Sequence, residues 1–228
     1  MRLRSVMLFA AGLLAVAGCE GTESGTPTGG TDGQPPVNSA PPQTSNTAPP
    51  VSDPKQIEGI RHVEYRGGLH IKENERVDYQ QQPPFGGAHD PVWAACDGVV
   101  YQQAVRNEHM VHSLEHGAVW IAYNPDRVDQ AGVSALSAKV TGRPYTMMSP
   151  YPGLDQPISL QSWGFQLKVS DPADPRIDQF IDALRQNQET TPEPNAPCSA
   201  VGGFDPRNPP PFDPSDPGPS AVPDTPGG

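Results

Sequence analysis

Positive charge is scarce in this chain: 15 Lys and Arg stand against 26 Asp and Glu, a formal net charge of -11. That balance gives no electrostatic reason to bind nucleic acid or anionic headgroups. Cysteine is nearly absent, three in 228 residues, and the lack of a CxxC pair argues against a thiol oxidoreductase. No apolar run is long enough to span a bilayer as a permanent helix. Gly-x-Ser-x-Gly, a phosphate loop, a dinucleotide fingerprint and internal repeats are all missing, which removes the serine-hydrolase, nucleotide and solenoid readings.

Proline and glycine are abundant, 30 and 23 residues. Much of the chain therefore cannot be packed core, and its apolar content supports one folded domain of ordinary size. At the N-terminus, Arg2 and Arg4 precede a short apolar run from Val6 to Val16, the pattern of an export signal. Val16-Ala17-Gly18-Cys19 looks like a bacterial lipobox, so residues 1–18 are expected to be removed and Cys19 to carry lipid. The expected address is the extracytoplasmic face of the cell membrane, with lipid as the membrane partner. Residues 19–56, rich in Ser, Thr, Pro and Gly, read as a disordered tether of roughly 35 Å reach. Residues 57–198 read as the folded domain and 199–228 as a Pro-rich disordered tail. With Cys19 lipidated, Cys96 and Cys198 are left to pair in an oxidising compartment rather than remain free thiols. In the chain-entropy model a loop of about a hundred residues is worth roughly 4–5 kcal/mol.

Within the folded part, Ile60 to Tyr65 alternates as a short strand does, and Gln82 to His89 is punctuated as a loop. Val99 to Tyr101 reads as a strand, 107–116 as a helix stopped by Gly117, and Ala118 to Tyr123 as a buried strand. Asn124-Pro125-Asp126 is expected to open a helix to about Val140. A strand over 144–148 should end at Ser149-Pro150. Strands around Trp163-Gly164 (158–169) and an amphipathic helix over 176–188 follow. The class expected is α+β: a small mixed sheet backed by two or three helices, with long disordered N- and C-terminal segments. A thioredoxin-like arrangement is compatible with that order.

All six histidines fall between residues 62 and 116. On a helix, His109, His112 and His116 lie within about 60° of one another, with Met110, Val111 and Leu114 opposite. His112 and His116, at i and i+4, have the spacing for sharing a metal ion. His89, on the glycine-rich loop, is the best further ligand. His109 is placed around the ligands rather than among them, because three donors on one short helix converge poorly. Met147 and Met148 could add a thioether, and imidazole with thioether suits copper better than zinc. The bland alternative is a set of structural imidazoles bonded to backbone carbonyls. His112-Ser113-Leu114-Glu115-His116 also matches the inverted zinc-peptidase motif, in which Glu115 would activate water. That chemistry needs another carboxylate ligand, which only Asp178 or Asp182 could supply, and Gly117 cuts the helix at the second histidine.

Tyr79, Pro83-Pro84-Phe85-Gly86-Gly87-Ala88-His89, Val111-His112-Ser113-Leu114-Glu115-His116-Gly117-Ala118-Val119 and Tyr123 together resemble the bacterial domain of unknown function 3105 family. The resemblance runs from about His62 to Trp163 and implies a site at His89, His112, Glu115 and His116, without saying what the site does. The reading that follows is a non-catalytic domain binding copper or zinc through His89, His112, His116 and Met147 or Met148, with Glu115 orienting an imidazole. An envelope protein- or glycan-interaction module is the alternative, and a zinc peptidase the third. Ring nitrogens converging on a common point would favour ligation.

Overall fold

A computed structural model describes residues 49–73, 75–200, 203–224 and 226. The signal segment, Cys19 and most of the tether lie outside the described residues. The tether's last residues are ordered: Val51 packs on the core, Pro54 is buried, and Gln179 donates to the Pro49 carbonyl at 2.8 Å. The packed chain therefore begins near residue 49 rather than 57. Among the described residues no helix is long and apolar enough to cross a membrane.

Chain order gives β1 (Arg61–His62), β2 (Val77–Asp78), β3 (Asp97–Val100), α1 (Asn107–Glu115), β4 (Val119–Tyr123), α2 (Gln130–Val140), β5 (Thr146–Pro150), β6 (Ile158–Ser162), β7 (Phe165–Val169), α3 (Arg176–Leu184) and β8 (Val222–Pro223). Six strands form one mixed sheet in the order β1-β7-β6-β4-β5-β3. β5 runs parallel to β3 and β4, and the other pairs are antiparallel. The β5-β4-β6-β7 order is the one asked of a thioredoxin-like unit, but residues 151–157 replace the helix that such a unit has between β5 and β6.

Two-residue alternation gives each strand an opposite destination for successive side chains. Val119, Ile121, Met148, Ile158, Leu160 and Leu167 meet Leu136 of α2 and Phe180 and Ile181 of α3 on one face. Trp120, Ala122 and Met147 meet Met110, Val111 and Leu114 of α1 on the other, beneath loops carrying Phe85 and Trp163. That second face positions the histidines. α1 stops where the glycine signal placed it: Gly117 has φ +91 and donates to Leu114 O at 2.9 Å.

Three local expectations shift. α2 begins at Gln130, because Asn124 spends its side chain on the Asp126 N–H (2.9 Å) in a turn, and Asp129 caps the helix through Gly132 N (2.8 Å). β5 continues through Ser149-Pro150; its pairing with β3 ends at Met148, so the missing proline N–H interrupts no ladder there. α3 ends at Leu184, with Gln186 at φ +53.

The C-terminal segment corrects the largest expectation. Residues 203–224 are docked, not free. Phe204 is buried against Tyr101 and His109, with ring centroids 6.2 and 5.6 Å away, and Phe212 stacks 4.7 Å from Tyr151. Arg76 donates to the Asp213 and Ser215 carbonyls at 3.0 and 2.9 Å, and β8 pairs with β2. Proline composition suggested disorder, but an extended proline-rich backbone has few N–H groups to satisfy and keeps every carbonyl as an acceptor. Cys96 and Cys198 are bonded, with a Cα separation of 4.8 Å, which fixes the chain after α3 to the sheet.

Candidate metal centre

Every residue of α1 from Glu108 to Glu115 is buried. The helix does not show its imidazoles to solvent; loops close over them. His89 N donates to Leu69 O (3.0 Å) and Ile71 N to His89 O (2.8 Å), a short parallel pairing that sets His70 beside His89. Gly68 N donates to Glu115 Oε1 at 2.6 Å. The backbone comes this close because residue 67 is glycine: a Cβ there would lie 2.9 Å from Glu115 Oε1 and 2.7 Å from Pro192 Cβ.

These contacts assemble His70, His89, His112 and Glu115, whose donor atoms all lie within 4.8 Å of one another. Ring centroids are 5.0 Å apart for His70–His89 and His70–His112, and 4.8 Å for His89–His112. Glu115 Oε2 is 2.9 Å from His89 Nε2 and 3.9 Å from His70 Nε2. The second set, His112, His116 and Glu193, meets the same distance criterion.

Carbonyl bonding and convergence occur together here. Nδ1 of His89 faces Gly87 O (2.8 Å), Nδ1 of His112 faces Asp90 O (2.6 Å), and Nδ1 of His116 faces Pro197 O (2.8 Å). A carbonyl only accepts, so each Nδ1 carries a proton, and each ring, when neutral, turns an Nε2 lone pair inward. For His89 this places a lone pair against a carboxylate oxygen. The two atoms lack the alignment of a hydrogen bond, and both are buried without a hydrogen-bond partner. A proton on His89 Nε2 or a metal ion between the two atoms would supply the positive charge that this pair calls for.

Burial pushes the His112 imidazolium down to about 3, aided by the neighbouring His89, His116 and His70 and only partly offset by the Asp90 carbonyl. Burial likewise lowers His116 and His109. Burial pushes the Glu115 carboxyl up, while positive charge on His89, with its Nε2 proton, and the Gly68 N–H pull it below its ordinary value, so the carboxylate calls for a cation at His89 Nε2. The stability consequence has a definite sign. Below about pH 6.5 an unfolded chain protonates His112 while the folded one does not, so the metal-free fold weakens as pH falls from 6.5 toward 3. Urea midpoints of metal-free protein should fall between about pH 6.5 and pH 5, with a shallower slope in His112→Gln. Equal slopes would contradict this assignment.

The remaining expected site residues are placed elsewhere. His109 does not orient a ligand: Nδ1 donates to Val92 O (2.6 Å) and Nε2 faces Arg106 Nη1 (3.3 Å). Met147 and Met148, successive on β5, point into the two opposite cores and cannot act as joint thioether donors. Asp178 pairs with Lys139 and Asp182 with Arg143, so neither meets the helix histidines; the carboxylate that reaches His112 and His116 is Glu193 instead. Ser113 donates to the Ala94 carbonyl at 2.7 Å and serves the core. Glu115, expected behind the ligands, stands among the candidate donors. His116 joins the Glu193 set rather than the His89 set.

His70 and Glu193 are the residues that sequence reasoning missed. Gly67-Gly68 just before His70 was the available signal, marking a close backbone approach; Glu193 had none. A cleft of about 700 Å3 adjoins Gly67, and none of the four inner donors lines it.

The family model described as "Protein of unknown function (DUF3105)" matches residues 70–200, more than half of the chain. The match starts at His70 and encloses both donor sets and both cysteines. No curated protein and no solved structure matches the chain. The chain belongs to the DUF3105 family.

Proposed function

We propose that this domain binds one transition-metal ion through Nε2 of His70, His89 and His112 and a carboxylate oxygen of Glu115, on a protein held outside the cytoplasm by lipid on Cys19. The observation that carries the metal reading is the buried, unpaired juxtaposition of His89 Nε2 and Glu115 Oε2 at 2.9 Å. With His89 neutral, two lone-pair atoms at that distance repel, and leaving both without a partner costs free energy unless a cation, metal or proton, sits with them. Three imidazoles and a carboxylate suit zinc or Cu(II); with the thioethers turned away, the softness that favoured Cu(I) is gone. The Val16-Ala17-Gly18-Cys19 motif supports the lipid anchor, and the Cys96–Cys198 bond supports an oxidising compartment. A mature protein without an acyl chain on Cys19 would remove the anchor from this reading.

The test is titration of purified, metal-stripped protein with Zn(II) and with Cu(II), followed by metal analysis. One equivalent of one of these ions is expected, with affinity falling more than about 100-fold in His89→Ala, beyond the losses seen for outer-sphere changes. No stoichiometric ion would overturn the reading. The histidines would then be loop-orienting groups of an envelope protein- or glycan-interaction module.

A further inference from the structure

We infer that the ion has two alternative seats sharing His112, the second formed by His112, His116 and Glu193 and serving as the loading position for the inner one. This deepens the metal reading above and rests on it. His116 Nε2 lies 3.5 Å from Glu193 Oε2, and the His112 and His116 rings meet nearly perpendicular with centroids 4.6 Å apart. The Pro197 carbonyl fixes His116 as Asp90 fixes His112, so its Nε2 lone pair also faces the donor set.

Two features separate the seats. His112 has a single free nitrogen, because Nδ1 is committed to Asp90 O; the ring cannot bridge two ions through its two nitrogens. Occupation of one seat therefore empties the other, and the chain holds one ion in either place. The seats also differ in access. His89 and Glu115 side chains are 0% exposed, whereas the Glu193 side chain is 44% exposed. Glu193 N donates to Glu115 O at 3.1 Å, which hangs the outer carboxylate directly on the inner seat's helix. An ion captured by Glu193 and His116 moves inward by exchanging those two donors for His89 and Glu115, while His112 stays bound throughout. His70, with a side chain 43% exposed, offers the competing direct entrance.

The test is stopped-flow uptake of Zn(II), with Cu(II) in parallel, by the full chain as wild type, Glu193→Gln and His116→Gln, with thermal melts verifying that each variant folds. One equivalent is expected in all three. Loading should slow more than about tenfold in both variants, while equilibrium affinity changes less than about threefold, since the inner donors are untouched. Two equivalents in the wild type would overturn the shared seat. Wild-type loading rates in both variants would overturn the loading role and assign entry to His70. Affinity losses as large as those of His89→Ala would merge the outer donors into one site and end the two-seat reading. No uptake by the wild type would defeat the metal reading itself.

Discussion

Glutamine in place of Glu115 should stabilise the metal-free protein while lowering zinc affinity by more than about 100-fold. The two effects oppose each other because the carboxylate is badly placed for a protein without an ion. Oε1 is satisfied by the Gly68 N–H, but Oε2 faces His89 Nε2 in a buried position, where two acceptors are opposed whenever that ring is neutral. A glutamine keeps an oxygen for Gly68 and turns an NH2 toward His89, converting two clashing acceptors into a hydrogen bond. Removing buried unsatisfied groups of this kind is worth about 1–3 kcal/mol. The same change removes the only charged donor of the inner set, and a metal centre loses its anion. Chemical denaturation and zinc competition on the same preparation read both quantities. A structural carboxylate would behave oppositely in the first: glutamine would destabilise the fold and leave no affinity to lose. Stability sacrificed at an unsatisfied site is the usual signature of function.

Arg106→Met should cost about 3–5 kcal/mol, the range for uncovering a buried charge. Arg106 pairs with Asp90 at 2.6 Å and Glu108 at 3.2 Å, and it also donates to the Glu75 carbonyl. The two carboxylates are only 4% and 6% exposed, so methionine leaves both without a counter-charge. Val77 N and Val92 N still donate to them, which keeps the loss from being larger. The effect should reach the proposed metal centre because the Asp90 carbonyl orients His112; displacement of that loop should lower zinc affinity by about 10–100-fold. Urea unfolding gives the first number and zinc competition the second. Adding Asp90→Asn to Arg106→Met should recover part of the lost stability, because one unpaired charge is then gone. A loss below about 1 kcal/mol for the single variant would mean that the cluster is solvated and structurally minor.

Local pattern made several parts legible. Val119 to Tyr123 is apolar and β-branched or aromatic at nearly every position, and it is the central strand. Ile177, Phe180, Ile181 and Leu184 repeat at helical spacing and all are buried in α3. Gly117 ends α1 for the reason its lack of a Cβ suggests. The Cys96–Cys198 bond was also legible by counting, once Cys19 is set aside as the expected lipid site. Where two local signals competed, local reading chose wrongly: Asn124 and Asp129 are both residue types that cap helices, and Asn124 is used in a turn while Asp129 caps α2. The tail failed for a different reason. Its anchors, Phe204 and Phe212, are isolated in sequence and gain their value from Tyr101, His109 and Tyr151.

The amino-acid sequence by itself determined the α+β class, the helix bearing His112 and Glu115, and the loop bearing His89, because each depends on spacing or turn chemistry within a few residues. Only the tertiary structure decided the donor set. It brought His70 to His89 through backbone pairing, aimed the rings of His89, His112 and His116 by backbone carbonyls, sent Met147 and Met148 to opposite cores, and delivered Glu193 from beyond α3. A metal centre is a meeting of lone pairs from separate stretches of chain, and the directions of lone pairs are not written in local periodicity.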